Sequence, residues 1–156
     1  MKKYIMLSVT VLWVIFIYCN SLLNTDTSSS HSGFVLNLIQ NAAGFIGVSP
    51  KLFTEHLIRK TAHFCEYALY GFLLCVTVRA WYGGFKSRIF MVLFLGLIVP
   101  VSDEFLQLFA DGRVGAVQDV VLDFSGFVAA AILYAVLKRL ARFHKNKRNR
   151  GVKWQF

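Results

Sequence analysis

The chain has 156 residues, a net charge of +9 and a composition that is 56% hydrophobic. This apolar fraction exceeds that of typical soluble domains, so an ordinary water-soluble globular protein is excluded. Four apolar stretches are long enough to cross a hydrocarbon core of about 30 Å, which takes about 20 residues. They cover residues 4–23, 57–79, 88–109 and 117–138. The sequence therefore predicts an all-α membrane protein, a small four-helix transmembrane bundle within one domain at residues 1–140.

The first stretch follows Lys2 and Lys3, as the apolar part of a signal peptide would. It is longer than that part usually is, and no small-residue cleavage site follows it. We therefore expect the first stretch to be retained as a transmembrane helix.

The segment between the first two spans changes character along its length. It starts polar, and then apolar residues recur at helical spacing over residues 34–46. A run this short cannot cross the membrane, so it predicts an amphipathic helix that lies in the outer interface. Ser49 and Pro50 then predict the start of a helix that continues into the second span.

Charged residues are sorted by membrane side. Of the 17 basic residues, 13 lie at residues 2–3, 79–88 and 138–153, whereas all eight acidic residues lie on the opposite side or within the spans. Basic residues in short loops mark the cytoplasmic side. The pattern predicts a multi-pass protein of the bacterial cytoplasmic membrane with both termini cytoplasmic. Residues 141–156 form a basic tail, which we expect to lie on anionic membrane lipids rather than to bind nucleic acid.

Polar residues of three spans cluster near the predicted outer face, and on each span they share one helical stripe or lie beside it. They are Arg59, His63, Glu66 and Tyr70 on the second span, Asp103, Glu104 and Gln107 on the third, and Asp119 and Asp123 on the fourth. Lys60 is next to the first stripe, and Arg113 lies in the short turn between the last two spans. Asp123 also shares the small-residue face of Gly126 and Ala130, which predicts close helix packing.

Five of these side chains are carboxylates, and only three are permanent cations. Ionised groups near hydrocarbon are costly, so the surplus must be relieved by protonation, pairing or a bound cation. One interpretation is a salt-bridge network that holds the helices in register. A second is a divalent cation among His63, Glu66 and the aspartates. A third is an anionic headgroup held by Arg59, Lys60 and Arg113, with Glu66 or His63 as general base.

Two runs of residues carry a family resemblance. The first is Arg-Lys-Thr-Ala-His-Phe-Cys-Glu-Tyr at residues 59–67, with Gly71 after it. The second is Asp-Glu-Phe-Leu-Gln-Leu-Phe at residues 103–109, followed by Gly112-Arg113, Asp119-Val120, Asp123 and Gly126. Together they resemble the two signatures of VanZ-like membrane proteins, over about residues 5–137. The resemblance implies a cell-envelope protein associated with low-level resistance to the glycopeptide teicoplanin.

From the stripes and the resemblance we expect a protein that binds an anionic lipid or a lipid-linked cell-wall precursor at the outer leaflet. If the protein is an enzyme, it also processes this molecule. The expected catalytic residues are His63, Glu66, Asp103, Glu104, Asp119 and Asp123. The expected substrate-binding residues are Arg59, Lys60, Tyr70, Gln107 and Arg113. The alternative is a non-enzymatic protein that shields precursors or assists another membrane enzyme, its charged cluster being structural. A divalent cation as cofactor stays open at this level, as do the reaction and the oligomeric state.

Overall fold

A computed structural model of the chain describes residues 1–22, 25–45, 49–83, 86–110 and 115–151. These residues form five α-helices and two short 3-10 helices, Pro50–Leu52 and Lys86–Arg88, with no strand among them. The α-helices are α1 (Lys2–Ser21), α2 (Thr25–Phe45), α3 (Glu55–Tyr82), α4 (Ile89–Gln107) and α5 (Val117–Gly151). The all-α prediction is confirmed.

Four helices in the described part of the chain are long and apolar enough to cross a membrane: α1, α3, α4 and the portion of α5 from Val117 to Lys145. Large apolar side chains cover their outward faces, and Leu12, Phe94 and Ile132 are each more than half exposed. Exposing such surface to water costs about 25 cal/mol per Å², whereas hydrocarbon carries no such cost. The prediction of a four-helix membrane bundle is confirmed.

Helices α1 and α3 run antiparallel and are joined by polar contacts along their length. At one end the Trp81 Nε1–H donates to the Lys3 carbonyl oxygen at 3.2 Å. Midway, the buried hydroxyl oxygens of Thr10 and Thr77 lie 2.8 Å apart. Hydroxyl groups inside a membrane find no water, so these bonds fix the register of the two helices.

Helix α5 packs closely on α3 through small residues. A Cβ atom on Gly126 would overlap the backbone carbonyl of Phe64, and a Cβ atom on Gly71 would overlap the backbone of Phe127. We call this contact the α3–α5 seam. Only a residue without a side chain allows backbones to approach so closely, so the tight packing predicted at Gly126 is confirmed.

Helix α4 completes the bundle and carries Pro100 in its interior. The Phe127 ring of α5 fills the space beside Gly96, where a Cβ atom would overlap the ring. The buried core lies between α1, α3, α4 and α5. Its members are Ile17, Tyr67, Tyr70, Leu74, Cys75, Val78, Val92, Val99, Phe127 and Tyr134.

Helix boundaries differ from the sequence prediction at three places. α2 begins at Thr25 rather than near residue 34. Serine lowers helix stability by only about 0.5 kcal/mol per residue, so the helix can include the serines. They add no apolar periodicity, so the sequence pattern did not indicate the earlier start. Pro50 begins a 3-10 turn, and α3 begins later, because the Thr54 side chain caps it by accepting from the Leu57 N–H at 3.2 Å. α5 continues to Gly151, since Lys and Arg are good helix formers.

Candidate functional site

Polar side chains of four helices meet where α1 and α4 end and where α3 and α5 begin. The antiparallel order of the helices brings these four helix ends to one side of the bundle. We call this side the acidic end. The opposite side, with Lys3, Arg79 and Arg88, is the basic end.

Three of the predicted residues form a compact group at the acidic end, which we call the His–Asp–Asp cluster: His63, Asp103 and Asp123. Asp103 is 0% and Asp123 is 1% exposed. One ligand atom of each residue lies within 4.8 Å of the other two. His63 Nδ1 is 3.9 Å from Asp123 Oδ2, which is too long for a hydrogen bond. The two stripes predicted on the second and fourth spans therefore do face each other, with Asp103 of α4 beside them.

The two aspartates of the cluster differ in their hydrogen bonds. The Ser21 hydroxyl donates to Asp103 Oδ2 at 2.8 Å. Both Asp123 side-chain oxygens are buried and accept no hydrogen bond from any residue that the structure describes. A buried carboxylate is stable only when it is protonated, paired or bound to a cation. Asp123 must therefore be protonated, or it must have a partner other than the described hydrogen-bond donors.

Glu66 lies deeper along α3, one turn beyond His63. Its Oε1 accepts a hydrogen bond from the Asn20 side-chain amide at 2.9 Å. Its Oε2 is buried and has no hydrogen-bond partner within the described residues. The Trp13 Nε1–H also donates to the Glu66 carbonyl oxygen at 3.0 Å, so α1 holds this residue at both its backbone and its side chain.

The sequence prediction missed the contribution of α1. Asn20 and Ser21 each donate to a carboxylate of the acidic end, Asn20 to Glu66 and Ser21 to Asp103. Two adjacent polar residues end an otherwise apolar span, and that pattern is the signal that would have drawn attention to them.

Glu104 and Gln107 serve the connection between α4 and α5. Glu104 Oε1 accepts from the Gln107 side-chain amide at 3.1 Å, and Oε2 accepts from the backbone N–H of Ala116 at 2.8 Å. Ala116 lies immediately before α5, so the carboxylate faces the positive end of that helix. These contacts favour a structural role for Glu104, while its catalytic role stays a prediction.

Lys60 and Asp119 form an ion pair above the cluster. Lys60 Nζ lies 2.7 Å from Asp119 Oδ1, and their side chains are 33% and 36% exposed. Arg59 is half-buried on the same turn of α3 and has no ion pair within the described residues. Two cations thus stand at the rim, one to two turns above His63 and Glu66. Arg113, predicted to bind phosphate, lies outside the described residues.

Tyr70 is placed away from the rim. Its hydroxyl donates to the Leu95 carbonyl oxygen at 3.0 Å, and its ring packs against Phe127 at 5.4 Å between centroids. The contact joins α3 to α4 in the core. The structure therefore does not bring Tyr70 together with the other predicted substrate-binding residues.

Comparison with known proteins gives a match to one family. A family model described as VanZ/LLP1 matches residues 6–138, which include every candidate residue of the acidic end. No curated protein and no solved structure matches the chain significantly.

Proposed function

Because the chain belongs to the VanZ/LLP1 family, we propose that it binds an anionic lipid or a lipid-linked cell-wall precursor in the bacterial cytoplasmic membrane and acts on it. The consequence for the cell would be tolerance of glycopeptides such as teicoplanin. One observation carries this proposal: buried carboxylates and a partly buried imidazole lie one to two helical turns from partly exposed cations, at a single end of a membrane bundle.

The rim supplies the charge that an anionic headgroup requires. Arg59 has no ion pair among the described residues, and Lys60 shares only a half-exposed pair with Asp119. Guanidinium and ammonium groups are the side chains that proteins use for phosphate. A phosphate that enters the rim can replace the Asp119 carboxylate as the partner of Lys60.

Helix α2 supports the same location. It packs on α3 and the preceding 3-10 turn, and the Gln40 amide donates to the Phe53 carbonyl oxygen at 3.0 Å. Phe34, Leu38 and Phe45 point away from the bundle and are 73%, 63% and 93% exposed. An apolar helix face beside the acidic end is typical of a helix seated in the membrane interface, so the rim would lie at headgroup level.

The deeper residues supply the chemistry. Glu66 has one oxygen fixed by Asn20 and one oxygen with no described partner, which suits a general base. His63 lies one turn nearer the rim on the same helix face. Either residue can take a proton from a hydroxyl or water that attacks a headgroup ester.

The proposal requires the acidic end to face outward. The sorting of basic residues supports this orientation. Thr27→Cys, Asp111→Cys and Lys145→Cys, each in a chain without its native cysteines, would be exposed to a membrane-impermeant thiol reagent in intact cells. We expect labelling at positions 27 and 111 only. Labelling at 145 without labelling at 27 would reverse the orientation and reject an outer-leaflet site.

The proposed activity is tested with Glu66→Gln and His63→Gln, which keep side-chain size and remove charge or basicity. Glu55→Gln and His56→Gln are matched controls, since both residues are exposed on the first turn of the same helix. We expect the site variants to lose teicoplanin tolerance at normal membrane abundance, and both controls to keep it.

Two other outcomes are informative. Reduced abundance with tolerance per molecule retained would favour the structural network. Normal abundance and normal tolerance in both site variants would reject the catalytic role and favour a protein that shields precursors without acting on them.

A further inference from the structure

We propose that His63, Asp103 and Asp123 bind one divalent transition-metal ion, Zn²⁺ or Mn²⁺, between α3, α4 and α5. The proposal names a cofactor for the site proposed above. The role of the ion in a reaction rests on that proposed function. The binding of the ion does not, because it is inferred from the geometry of the three side chains.

The first observation is the convergence of the donor atoms. Three side chains from three helices place one ligand atom each within 4.8 Å of the others. Metal–ligand bonds of about 2.0–2.2 Å put neighbouring ligand atoms about 3.0–3.5 Å apart. The separation of 3.9 Å between His63 Nδ1 and Asp123 Oδ2 is therefore close to that of a ligated pair. Small side-chain rotations would close the difference.

The second, independent observation is the condition of Asp123. This carboxylate is 1% exposed, and neither oxygen accepts a hydrogen bond from a described residue. In a structural hydrogen-bond network the two Asp123 oxygens would accept hydrogen bonds. In a metal site these oxygens would instead bind the ion. The carboxylate lies within the cluster, facing His63.

The charge of the cluster fits the charge of the ion. Asp103 and Asp123 contribute two negative charges when ionised, and one dication neutralises both. The alternative of two ionised carboxylates in a buried site without a cation is strongly unfavourable. Neutralisation by an ion lets both residues stay buried in a membrane bundle.

The donor chemistry selects the ion class. One imidazole nitrogen and two carboxylate oxygens suit Zn²⁺ or Mn²⁺, whereas Mg²⁺ and Ca²⁺ prefer all-oxygen sites. Ser21 already donates to Asp103 Oδ2, which is the kind of outer contact that orients a ligating carboxylate. An ion held there would supply Lewis acidity to the proposed reaction. Glu66 lies one turn deeper on α3, outside the three-residue group, and keeps its proposed role as general base.

The experiment uses the full chain, purified in detergent with a tag that contains no histidine and stripped with a chelator. The protein is dialysed separately against graded concentrations of Zn²⁺, Mn²⁺, Mg²⁺ and Ca²⁺, and bound metal is measured by mass spectrometry. Asp123→Asn and His63→Gln remove proposed ligands. Glu55→Gln and His56→Gln are controls for a lost carboxylate and a lost imidazole. Circular dichroism and the thermal transition report whether each variant folds.

We expect about one ion per chain in the wild type and in both controls, and a metal-dependent rise in Tm. Affinity should fall about a hundredfold in Asp123→Asn and His63→Gln, since outer contacts alone are worth about 10–100-fold. The folded, metal-free Tm of Asp123→Asn should match or exceed that of the stripped wild type, because the substitution removes a buried carboxylate that has no described hydrogen-bond partner.

The proposal is overturned if the wild type retains neither ion, if a folded Asp123→Asn binds as much metal as the wild type, or if the controls lose it equally. A wild type that binds only Mg²⁺ or Ca²⁺ also overturns it. The metal-binding measurements use no lipid substrate and no antibiotic, so their outcome does not depend on the proposed function. A metal-free protein whose Glu66→Gln variant still loses tolerance would reject the ion while leaving the proposed function intact.

Discussion

The α3–α5 seam lies within about two turns of His63 and Asp123, the two members of the His–Asp–Asp cluster on the same helices. The two regions differ in packing and in hydrogen bonding. At the seam, backbone meets backbone so closely that Gly126 and Gly71 leave no room for a Cβ atom. In the cluster, Asp123 is equally buried but has two oxygens without a described hydrogen-bond partner. Dense packing stabilises the helix pair, whereas the buried carboxylate beside it has the two oxygens that we propose for metal binding.

The proximity of the two regions has a geometric reason. Phe64, which touches Gly126, follows His63 in the chain, and Gly126 is three residues, or about one helical turn, from Asp123. The spacing of the backbones at the seam therefore sets the distance from the imidazole to the carboxylate. A rigid contact next to a binding group is how a small bundle can hold ligands at a defined separation without a soluble domain.

The largest expected effect breaks the seam. Gly126→Ala introduces a methyl group against the Phe64 carbonyl, which as backbone cannot rotate away. We expect a loss of about 3 kcal/mol in the free energy of unfolding, measured by denaturation in mixed detergent micelles. Gly33→Ala is the matched control, because its Cβ would meet only Glu55 Oε1 at an ordinary 3.7 Å. Equal stability of the two variants would show that the seam is not close-packed.

The second effect concerns Glu104, which belongs to the acidic end but is fully hydrogen-bonded. Glu104→Ala leaves the Ala116 N–H without its acceptor, so we expect a loss of about 2 kcal/mol in unfolding free energy. Glu104→Gln keeps one acceptor oxygen and should lose about half as much. A variant that unfolds normally but loses teicoplanin tolerance would instead assign Glu104 to the catalytic group.

A smaller effect tests whether a residue outside the described part completes the cluster. Arg113→Ala removes a candidate partner of Asp123, and the double variant Arg113→Ala/Asp123→Asn also removes the carboxylate. A pair would give a coupling of about 1 kcal/mol in a double-mutant cycle of unfolding free energies. Recovery of stability and of tolerance together in the double variant would support a structural pair. Recovery of stability alone would show that Arg113 or Asp123 is also needed for function, and equal losses would reject the pair.

The smallest effect lies at the rim. Lys60 and Asp119 are each about one-third exposed, so their ion pair should contribute only about 0.5 kcal/mol to stability. A double-mutant cycle with Lys60→Ala and Asp119→Ala, repeated at high salt, measures this contribution and its screening. A coupling above about 2 kcal/mol would place the pair with the structural contacts and remove Lys60 from the residues available to a headgroup.

The sequence predicted what depends on local pattern. Four apolar runs of spanning length define the bundle, and helical spacing places His63 and Glu66 on one face of α3. Small residues at helical spacing predicted the close contact at Gly126. These features follow from composition and periodicity, which do not require knowledge of which helices are neighbours.

What the sequence did not predict depends on tertiary contacts. The bonds from Asn20 and Ser21 require α1 to lie beside α3 and α4, and its end carries no charge that would indicate this. Glu104 follows Asp103 directly in the chain. Its side chain contacts the start of α5, whereas that of Asp103 belongs to the cluster. Tyr70 continues the stripe of His63 by periodicity, but two turns along a helix carry it into the core.

Helix α5 has 35 residues, so it extends about 52 Å along its axis at 1.5 Å per residue. A hydrocarbon core takes up about 30 Å of that length, which leaves roughly 20 Å of continuous helix beyond the basic end. The emerging portion carries Lys138, Arg139, Arg142 and Lys145. It is a stiff spacer and not a flexible tether. A reporter attached near its far end would be held at a fixed distance from the lipid surface. A rotation of α5 within the bundle would rotate this end of the helix by the same angle.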